Sequence, residues 1–205
     1  MINSKSETKI PVMESFYSIQ GEGAHTGKPS YFIRLAGCDV NCHWCDVKES
    51  WGINSNQYKT VQEIVEDVLE YSAEIIIITG GEPLMHDLTE LTAALKAKDK
   101  KIHLETSGTH PLTGSFDWIC FSPKKFKKPL DEFFKLSNEL KIIIFNDSDF
   151  LWAEDLLNKI ENSPVLVMQP EWSKSEKINP KILEYVKTNP KWRISLQTHK
   201  YLDVK

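Results

Sequence analysis

Three cysteines stand close together near the N-terminus, and their spacing points to metal chemistry. Cys38, Cys42 and Cys45 form a C-x3-C-x2-C run. A 4Fe–4S cluster held entirely by protein needs four thiolates. Three thiolates in one loop would hold three irons and leave the fourth iron open to a small molecule. That arrangement permits inner-sphere electron transfer to a ligand on the open iron.

Two other uses of these cysteines are considered. A structural zinc site would add His43 to make a Cys3His set, but His43 directly follows Cys42, and adjacent side chains rarely both reach one tetrahedral ion. Disulfides are disfavoured because no apolar signal segment follows Met1, so we expect a reducing, cytoplasmic location. The fourth cysteine, Cys120, lies in an apolar run and is expected to be a small buried hydrophobe.

Composition limits the class of protein. The chain has 205 residues, and we expect one domain spanning residues 1–205. Its formal net charge of −4 does not favour binding to the negatively charged nucleic acids. No apolar run approaches the roughly 20 residues of a membrane span, so we expect no membrane partner. A basic run at residues 124–128 is the local exception, and such runs are mostly solvated loop.

Strand and helix patterns alternate along the chain. A continuous β-branched run from Glu74 to Thr79 is typical of a strand buried on both faces of a parallel sheet. Thr60 and Glu63 predict a capping box at the start of a helix that extends to Tyr71. Further strands are predicted at 31–37, 102–105, 118–121, 140–145, 165–168 and 194–196, and further helices at about 87–98, 150–160 and 180–187. This order predicts an α/β fold, an abbreviated and incomplete (βα) barrel.

Polar motifs follow several of the predicted strands. In parallel α/β folds the ligand lies at the carboxyl ends of the strands. The cysteine loop follows one such strand, and Gly80-Gly81-Glu82-Pro83 follows the next. Other motifs follow later strands, at 105–108, 122–124, 169–170 and 197–199. Ordinary turn chemistry explains any one of them, but several at one edge predict a lined site.

The cysteine run and the Gly-Gly-Glu-Pro element together resemble the radical S-adenosylmethionine (SAM) superfamily. Its members use this cysteine spacing with an aromatic residue before the last cysteine, here Trp44. The resemblance implies a 4Fe–4S cluster on Cys38, Cys42 and Cys45, and reductive cleavage of SAM to a 5′-deoxyadenosyl radical. The radical is carried by SAM, so no side chain is predicted to be catalytic. The implied cofactor-binding residues are Trp44, Asp46, Gly81, Glu82, Glu105, Ser122, Pro123, Lys124 and Gln169.

A second resemblance narrows the reaction. The stretch from Glu14 to Gly23, followed by Phe32 to Cys38, is similar to the 7-carboxy-7-deazaguanine synthase family of queuosine and deazapurine biosynthesis. The likeness continues through the motifs at 42–46, 80–83, 105–108, 122–124 and 196–200. It implies a carbon–nitrogen lyase that contracts 6-carboxy-5,6,7,8-tetrahydropterin with loss of ammonia. The implied substrate contacts are Ile19, Gln20, Gly21, Arg34 and Thr79.

The residues suit such a substrate on chemical grounds. Arg34 interrupts an otherwise apolar strand, and a guanidinium binds a carboxylate through two parallel hydrogen bonds. Gln20 beside Gly21 offers an amide for a ring edge. The alternative for Arg34 is an outward position paired with a surface acid. Lys124 and Glu105 have structural alternatives too, as part of a solvated loop and as a strand end.

Further partners follow from the same resemblance. The family usually has Thr or Ser two residues after the last cysteine, where the hydroxyl helps to hold Mg²⁺ against the substrate carboxylate. This chain has Val47, so we expect Mg²⁺ to be held by substrate, water and other groups. A flavodoxin or ferredoxin electron donor and a homodimer are also expected. The alternatives for the whole chain are an activase of a glycyl-radical enzyme and a zinc-stabilised binding module.

Overall fold

The computed structural model describes residues 7–205. Residues 1–6, which begin the predicted single domain, lie outside the described residues. The chain divides into two compact units. The first unit contains residues up to Ser18, Pro29–Glu105 and His110–Asp117; the second contains Ile19–Lys28, Thr106–Thr109 and Trp118–Lys205. The single domain over 1–205 stays a prediction.

The first unit is built on five strands, β1 Lys9–Ile19, β2 Pro29–Leu35, β3 Tyr58–Thr60, β4 Ile75–Gly80 and β5 Lys101–Thr106. They lie in the order β3-β1-β2-β4-β5, with β1 antiparallel to β3 and with β2, β4 and β5 parallel. The chain passes from β2 into the cysteine loop and from β4 into the Gly-Gly-Glu segment. Ile33, Ile78 and Leu104 are register partners across β2, β4 and β5. This register row is fully buried, as expected for strands covered on both faces.

Two α-helices accompany these strands, α1 Val61–Leu69 and α2 Thr89–Lys96. The predicted capping box of α1 is confirmed. The backbone N–H of Glu63 donates to Thr60 Oγ1 at 3.2 Å, and the backbone N–H of Thr60 donates to Glu63 Oε2 at 2.7 Å. The apolar face of α1 then buries Val61, Ile64, Val65 and Val68.

The second unit carries four parallel strands in chain order, β6 Trp118–Phe121, β7 Glu139–Ile144, β8 Val165–Pro170 and β9 Trp192–Ile194. Its helices are α3 Phe133–Leu136, α4 Ser148–Leu157, α5 Ser175–Thr188 and α6 Thr198–Leu202. Its core includes Phe121, Phe133 and Trp192, each at most 1% exposed. Neither row of strands closes on itself within residues 7–205.

The predicted strands before residue 190 are confirmed within about two residues, and several features differ. The strands β1 and β3 and the short helices α3 and α6 were not predicted, and because of β1 the strand that leads into the cysteine loop is the second of the chain, not the first. The last strand is Trp192–Ile194 instead of 194–196, because its pairing with β8 runs from Trp192, opposite Leu166, to Ile194, opposite Met168. The helix predicted at 180–187 begins earlier, at Ser175, and contains Pro180. No helix in the described part of the chain has the length and apolar composition needed to cross a bilayer.

Candidate functional site

The cysteine loop begins just after β2 and is tied back to the residues that follow it. The backbone N–H of Gly37 donates to Ser50 O at 2.7 Å, and that of Cys38 donates to Trp51 O at 3.2 Å. A turn closes between Cys42 and Cys45, with an N···O distance of 2.9 Å. These backbone bonds tie the start of the loop to residues 50–51 and close a turn between its last two cysteines.

Burial is the main electrostatic influence on the Cys38 thiol of this loop. Burial raises the pKa of the Cys38 thiol, and the negative charges of Glu82 and Cys45 add to the shift, although hydrogen bonds from the Val40 and Asn41 backbone oppose it. None of the four cysteines is in a disulfide. Within residues 7–205, no three His, Cys, Asp or Glu side chains are grouped as ligands for an ion.

The Gly80-Gly81-Glu82 segment lies directly against the cysteine loop. The backbone N–H of Gly81 donates to Leu35 O at 3.0 Å, and that of Glu82 donates to Gly37 O at 2.9 Å. A Cβ on Gly81 would overlap Gly37 O and come within 2.9 Å of Cys38 Cβ. The segment therefore needs glycine for close approach of two backbones. By the chemistry of their donor atoms, the three thiols would hold three irons of a 4Fe–4S cluster, with the Gly80–Gly81 peptides beside them for a small chelating ligand.

Glu82 itself is almost fully buried, at 1% exposure. Its Oε1 accepts the backbone N–H of Leu84 at 3.3 Å and so begins the short 3-10 helix Pro83–Met85. Nearby, His86 Nε2 lies 2.8 Å from Ala36 O. The turn interpretation of this motif is thus confirmed for Glu82, whose carboxylate caps the 3-10 helix.

Arg34, Thr79 and Glu105 share one face of the first unit. Arg34 and Thr79 are register partners, and all three residues directly follow the register row described above. Since side chains alternate along a strand, all three leave the sheet on the face opposite to that row. Arg34 Nε donates to Glu14 Oε1 at 2.8 Å, so the alternative pairing with an acid does occur.

Two predicted cofactor contacts of the cysteine loop, Trp44 and Asp46, are less enclosed, and so is Val47. Trp44 is half-buried with its ring centroid 6.2 Å from that of His43, Asp46 is exposed, and Val47 is half-buried. Val47 precedes the 3-10 helix Lys48–Ser50, and its carbonyl accepts the Ser50 hydroxyl at 2.7 Å. Nothing in these contacts supplies a side-chain oxygen at position 47.

In the second unit, the Ser122-Pro123-Lys124 motif directly follows β6. Lys124 Nζ donates to Ser122 O at 2.5 Å and to Ser122 Oγ at 2.8 Å, and Ser122 and Pro123 are buried. The ammonium therefore bends back onto the strand end. This placement differs from that of Lys125 and Lys128, which are exposed.

The predicted substrate segment Gln20–Gly21 also lies in the second unit and starts a closed loop. The backbone of Gln20 bonds to Lys28 and Gly27 at 2.8 and 2.7 Å, and Gln20 Oε1 accepts the backbone N–H of Glu22 at 3.0 Å. A Cβ on Gly21 would overlap the ring of His199. Glycine is thus required here too, because the C-terminal helix packs against the loop backbone.

Glu22 forms a buried ion pair that the sequence analysis did not single out. Lys141 Nζ of β7 donates to Glu22 Oε2 at 2.7 Å, and Gln197 Nε2 donates to Glu22 Oε1 at 2.9 Å. Burial opposes ionisation, but the charge and hydrogen bond of Lys141, with hydrogen bonds from Gln197 and Gln169, lower the pKa of Glu22 to about 2. The carboxylate is therefore charged at neutral pH.

Two further bonds hold the same loop. Ser195 Oγ accepts the backbone N–H of Gly23 at 2.8 Å and donates to Gln169 Oε1 at 2.8 Å. Glu139 Oε2 accepts the backbone N–H of Ala24 at 3.0 Å. The sequence carried a signal for part of this network, since charged residues 139 and 141 flank Leu140 at the start of an apolar strand. Ser195 gives no such signal.

The chain was compared with known proteins. A family profile described as the radical SAM superfamily matches residues 32–135. A 7-carboxy-7-deazaguanine synthase of Flavobacterium psychrophilum is 53% identical over 195 residues, which cover 95% of this chain and 92% of that protein. A synthase of the same name from Escherichia coli K12 is 34% identical, covering 96% and 99%.

The structural comparison agrees with the sequence comparisons. The crystal structure of QueE from Escherichia coli is 30% identical, covers 93% of this chain and 95% of that chain, and has a TM-score of 0.85. The predicted fold class, the α/β fold of the radical SAM type, is confirmed. The likenesses favour the synthase interpretation over a glycyl-radical activase or a zinc-stabilised module.

Proposed function

Since this chain belongs to the 7-carboxy-7-deazaguanine synthase family of radical SAM enzymes, we propose that it converts 6-carboxy-5,6,7,8-tetrahydropterin to 7-carboxy-7-deazaguanine and ammonia. When bound on Cys38, Cys42 and Cys45, the 4Fe–4S cluster, with SAM, would supply the radical chemistry that starts the reaction at C6 of the pterin. The ring then loses one nitrogen as ammonia. The product belongs to queuosine and deazapurine synthesis.

One observation carries the proposal. The proposed substrate contacts Arg34 and Thr79 are register partners on the neighbouring strands β2 and β4 of the first unit. Arg34 is four residues before Cys38 in the cysteine loop, and Thr79 is two residues before Gly81. The two segments are joined by the backbone bonds from Gly81 to Leu35 and from Glu82 to Gly37.

The chain's own residues have the following roles. Cys38, Cys42 and Cys45 would hold three irons as thiolates, and Gly81, whose backbone lies against Gly37 and Cys38, would offer its peptide group to the methionine part of SAM. Arg34 binds the pterin carboxylate. Its Nε is paired with Glu14, and no partner of the two terminal nitrogens is found in residues 7–205, which leaves a fork for two carboxylate oxygens.

The remaining predicted contacts complete the two ligands. Gln20 and Gly21, with Ile19, read the pyrimidine edge, because amide and peptide groups offer both donors and acceptors. Ser122, Pro123, Lys124 and Gln169 bind SAM. Lys124 holds the Ser122 hydroxyl as an acceptor, which leaves the Ser122 proton available for a ligand oxygen. Trp44, Asp46, Glu82 and Glu105 are the other proposed SAM contacts.

The proposed partners are a magnesium ion, an electron donor and a second copy of the chain. Mg²⁺ is held by substrate, water and groups other than residue 47. A flavodoxin or ferredoxin supplies the electron, since reductive cleavage of SAM needs a low-potential one-electron donor. A homodimer in the cytoplasm is the proposed state, on the strength of the family resemblance alone.

The direct experiment is turnover under anaerobic conditions. Reconstituted protein is mixed with SAM, dithionite and 6-carboxy-5,6,7,8-tetrahydropterin, and deazaguanine product, ammonia and SAM are quantified. We expect one ammonia per product with SAM conserved, and no product from Cys42→Ala. Consumption of SAM with the pterin unchanged would show that this pterin is not the substrate.

A further inference from the structure

Gln169 is held in one orientation by two neighbours of different chemistry. Its Oε1 accepts the Ser195 hydroxyl at 2.8 Å, and its amide forms a side-chain hydrogen bond with the Glu22 carboxylate. Reversing the amide would place its oxygen against that carboxylate, and two acceptors cannot bond to each other. The Glu22 charge therefore fixes the amide, and Ser195 completes the arrangement.

Ser195 joins Gln169 to the loop that carries the proposed substrate contacts. Its Oγ accepts the backbone N–H of Gly23, three residues after Gln20, while its own proton goes to Gln169. Ser195 is 4% exposed and Gln169 is 3% exposed, so water does not compete for these bonds. One hydroxyl thus connects a loop backbone with a strand-end amide.

The loop is also fixed on its other side. Gln20 Oε1 accepts from the backbone of Glu22, and the Glu22 carboxylate is bonded to Lys141 of β7 and to Gln197. The segment from Gln20 to Gly23 is therefore connected to Gln169 twice, through Glu22 and through Ser195. The route through Ser195 contains no charged side chain. A substitution of Ser195 therefore breaks this connection without leaving an ion unpaired.

We propose that Ser195 is a positioning residue that couples the Gln20–Gly21 loop to Gln169, so that carboxypterin and SAM strengthen each other's binding. This rests on the function proposed above. A ligand that orders the loop also orders Gln169, and the second ligand then binds an amide already in place. The coupling must be reciprocal, because each ligand changes the other's affinity by the same factor.

The test measures SAM binding to anaerobic holoenzyme with an oxidised cluster, by calorimetry, with and without saturating 6-carboxy-5,6,7,8-tetrahydropterin. No turnover occurs without reductant, so both are equilibrium measurements. For the natural protein we expect the pterin to lower the Kd of SAM at least about fivefold. For Ser195→Ala we expect that ratio to fall to within about twofold of one, while the Kd of SAM alone changes less than about threefold.

The matched control is Ser137→Ala. Ser137 is a fully buried serine of the same unit whose hydroxyl has no hydrogen-bond partner in the described part of the chain. Ser137→Ala removes the same atom, the hydroxyl oxygen, and should keep the ratio of SAM Kd values found for the natural protein. Ser195→Thr keeps the hydroxyl and should restore the coupling. If Ser195→Ala does not fold, Ser195→Cys replaces it, because a thiol is a weaker donor of similar shape.

The outcomes separate this inference from the proposed function. The measured ratio is the Kd of SAM without the pterin divided by the Kd of SAM with it. If Ser195→Ala keeps the ratio of the natural protein, or if the natural protein binds both ligands with a ratio of one, the coupling is overturned and the proposed function is not affected. Failure of the natural protein to bind the carboxypterin overturns the function and the coupling with it. Equal effects in Ser137→Ala and Ser195→Ala assign the loss to packing and overturn the role of Ser195.

Discussion

Arg34 and Thr79 are register partners in neighbouring parallel strands, so their side chains leave the sheet side by side on one face. The same two strands continue into the cysteine loop and into Gly80–Glu82. A cation and a hydroxyl are thereby set at a fixed offset from the proposed cofactor segments. That offset is set by the register of the two strands, which is rigid, and not by the conformation of a loop.

The first prediction concerns Arg34. Its side chain is 20% exposed and paired with Glu14. Arg34→Ala should lower pterin turnover by roughly 1.5 to 3.7 orders of magnitude, because truncating one partner of a buried charge pair costs about 2–5 kcal/mol and about 1.4 kcal/mol is tenfold in rate. Uncoupled cleavage of SAM should survive. Both are measured as product and 5′-deoxyadenosine formed per minute.

Two variants separate the roles of Arg34. Arg34→Lys keeps the charge without the planar fork and should recover only part of the turnover. Glu14→Gln removes the protein partner alone and should have a much smaller effect. If Glu14→Gln is as damaging as Arg34→Ala, the ion pair is structural, and the assignment to the substrate carboxylate is wrong.

The second prediction concerns the cluster ligands. Cys42→Ala should abolish iron and sulfide binding, with loss of the brown colour. Cys120→Ala should retain the full iron content, because Cys120 is a buried residue of β6 whose Sγ lies 3.6 Å from Glu139 Oε1. Iron analysis after anaerobic reconstitution makes the comparison. Equal iron loss in the two variants would refute the three-thiolate interpretation.

Much of the fold could be predicted because its signals are local. The β-branched run that became β4 and the Thr60–Glu63 capping box each depend on residues close together in the chain. β1 was missed because it is half-buried over most of its length, with Glu14, Ser15 and Ser18 interrupting its apolar positions. A strand of mixed polarity lacks the periodicity that identifies one.

The candidate site was predictable only where a motif marks it. The cysteine run and the Gly-Gly-Glu segment are contiguous in the chain, so their types and spacing were visible. The ion pair of Glu22 with Lys141 joins residues 119 positions apart, and Ser195 is 172 positions from Gly23. Single-sequence patterns carry no information on such pairings, which register and topology create.

The third prediction is a pH dependence of stability. The folded-state pKa of Glu22 is lowered from 4.5 to about 2, so the folded protein binds this proton less tightly than the unfolded chain does. The resulting stabilisation, about 3 kcal/mol, is complete above pH 4.5 and is lost as the pH falls toward 2. Urea unfolding of cluster-free protein between pH 6 and 3 should show this loss.

Glu22→Gln provides the comparison. The variant should be less stable at pH 6, since Lys141 is left without its counter-charge, and its free energy of unfolding should fall less steeply on acidification. Glu184→Gln, which breaks an exposed pair with Lys187, should keep the natural slope. Identical acid slopes for the natural protein and Glu22→Gln would show that Glu22 does not carry the effect.

The fourth prediction concerns magnesium and Val47. Valine has the shape of threonine without its oxygen, and Mg²⁺ prefers near-octahedral oxygen ligands while retaining several waters. Water can replace the missing protein oxygen, at a cost in affinity and orientation. We therefore expect turnover without added magnesium, or half-maximal stimulation only at high concentration. Val47→Thr should increase the stimulation and shift it to lower magnesium.

The measurement is turnover against magnesium concentration after chelation, for the natural protein, Val47→Thr and Val47→Ala. Val47→Ala changes the size of the side chain without adding an oxygen, so it should not gain stimulation. Val47 is half-buried beside the 3-10 helix that begins at Lys48, where a hydroxyl replaces a methyl with little change in volume. Tight and absolute magnesium dependence in the natural protein, unchanged by Val47→Thr, would mean that another residue supplies the ligand.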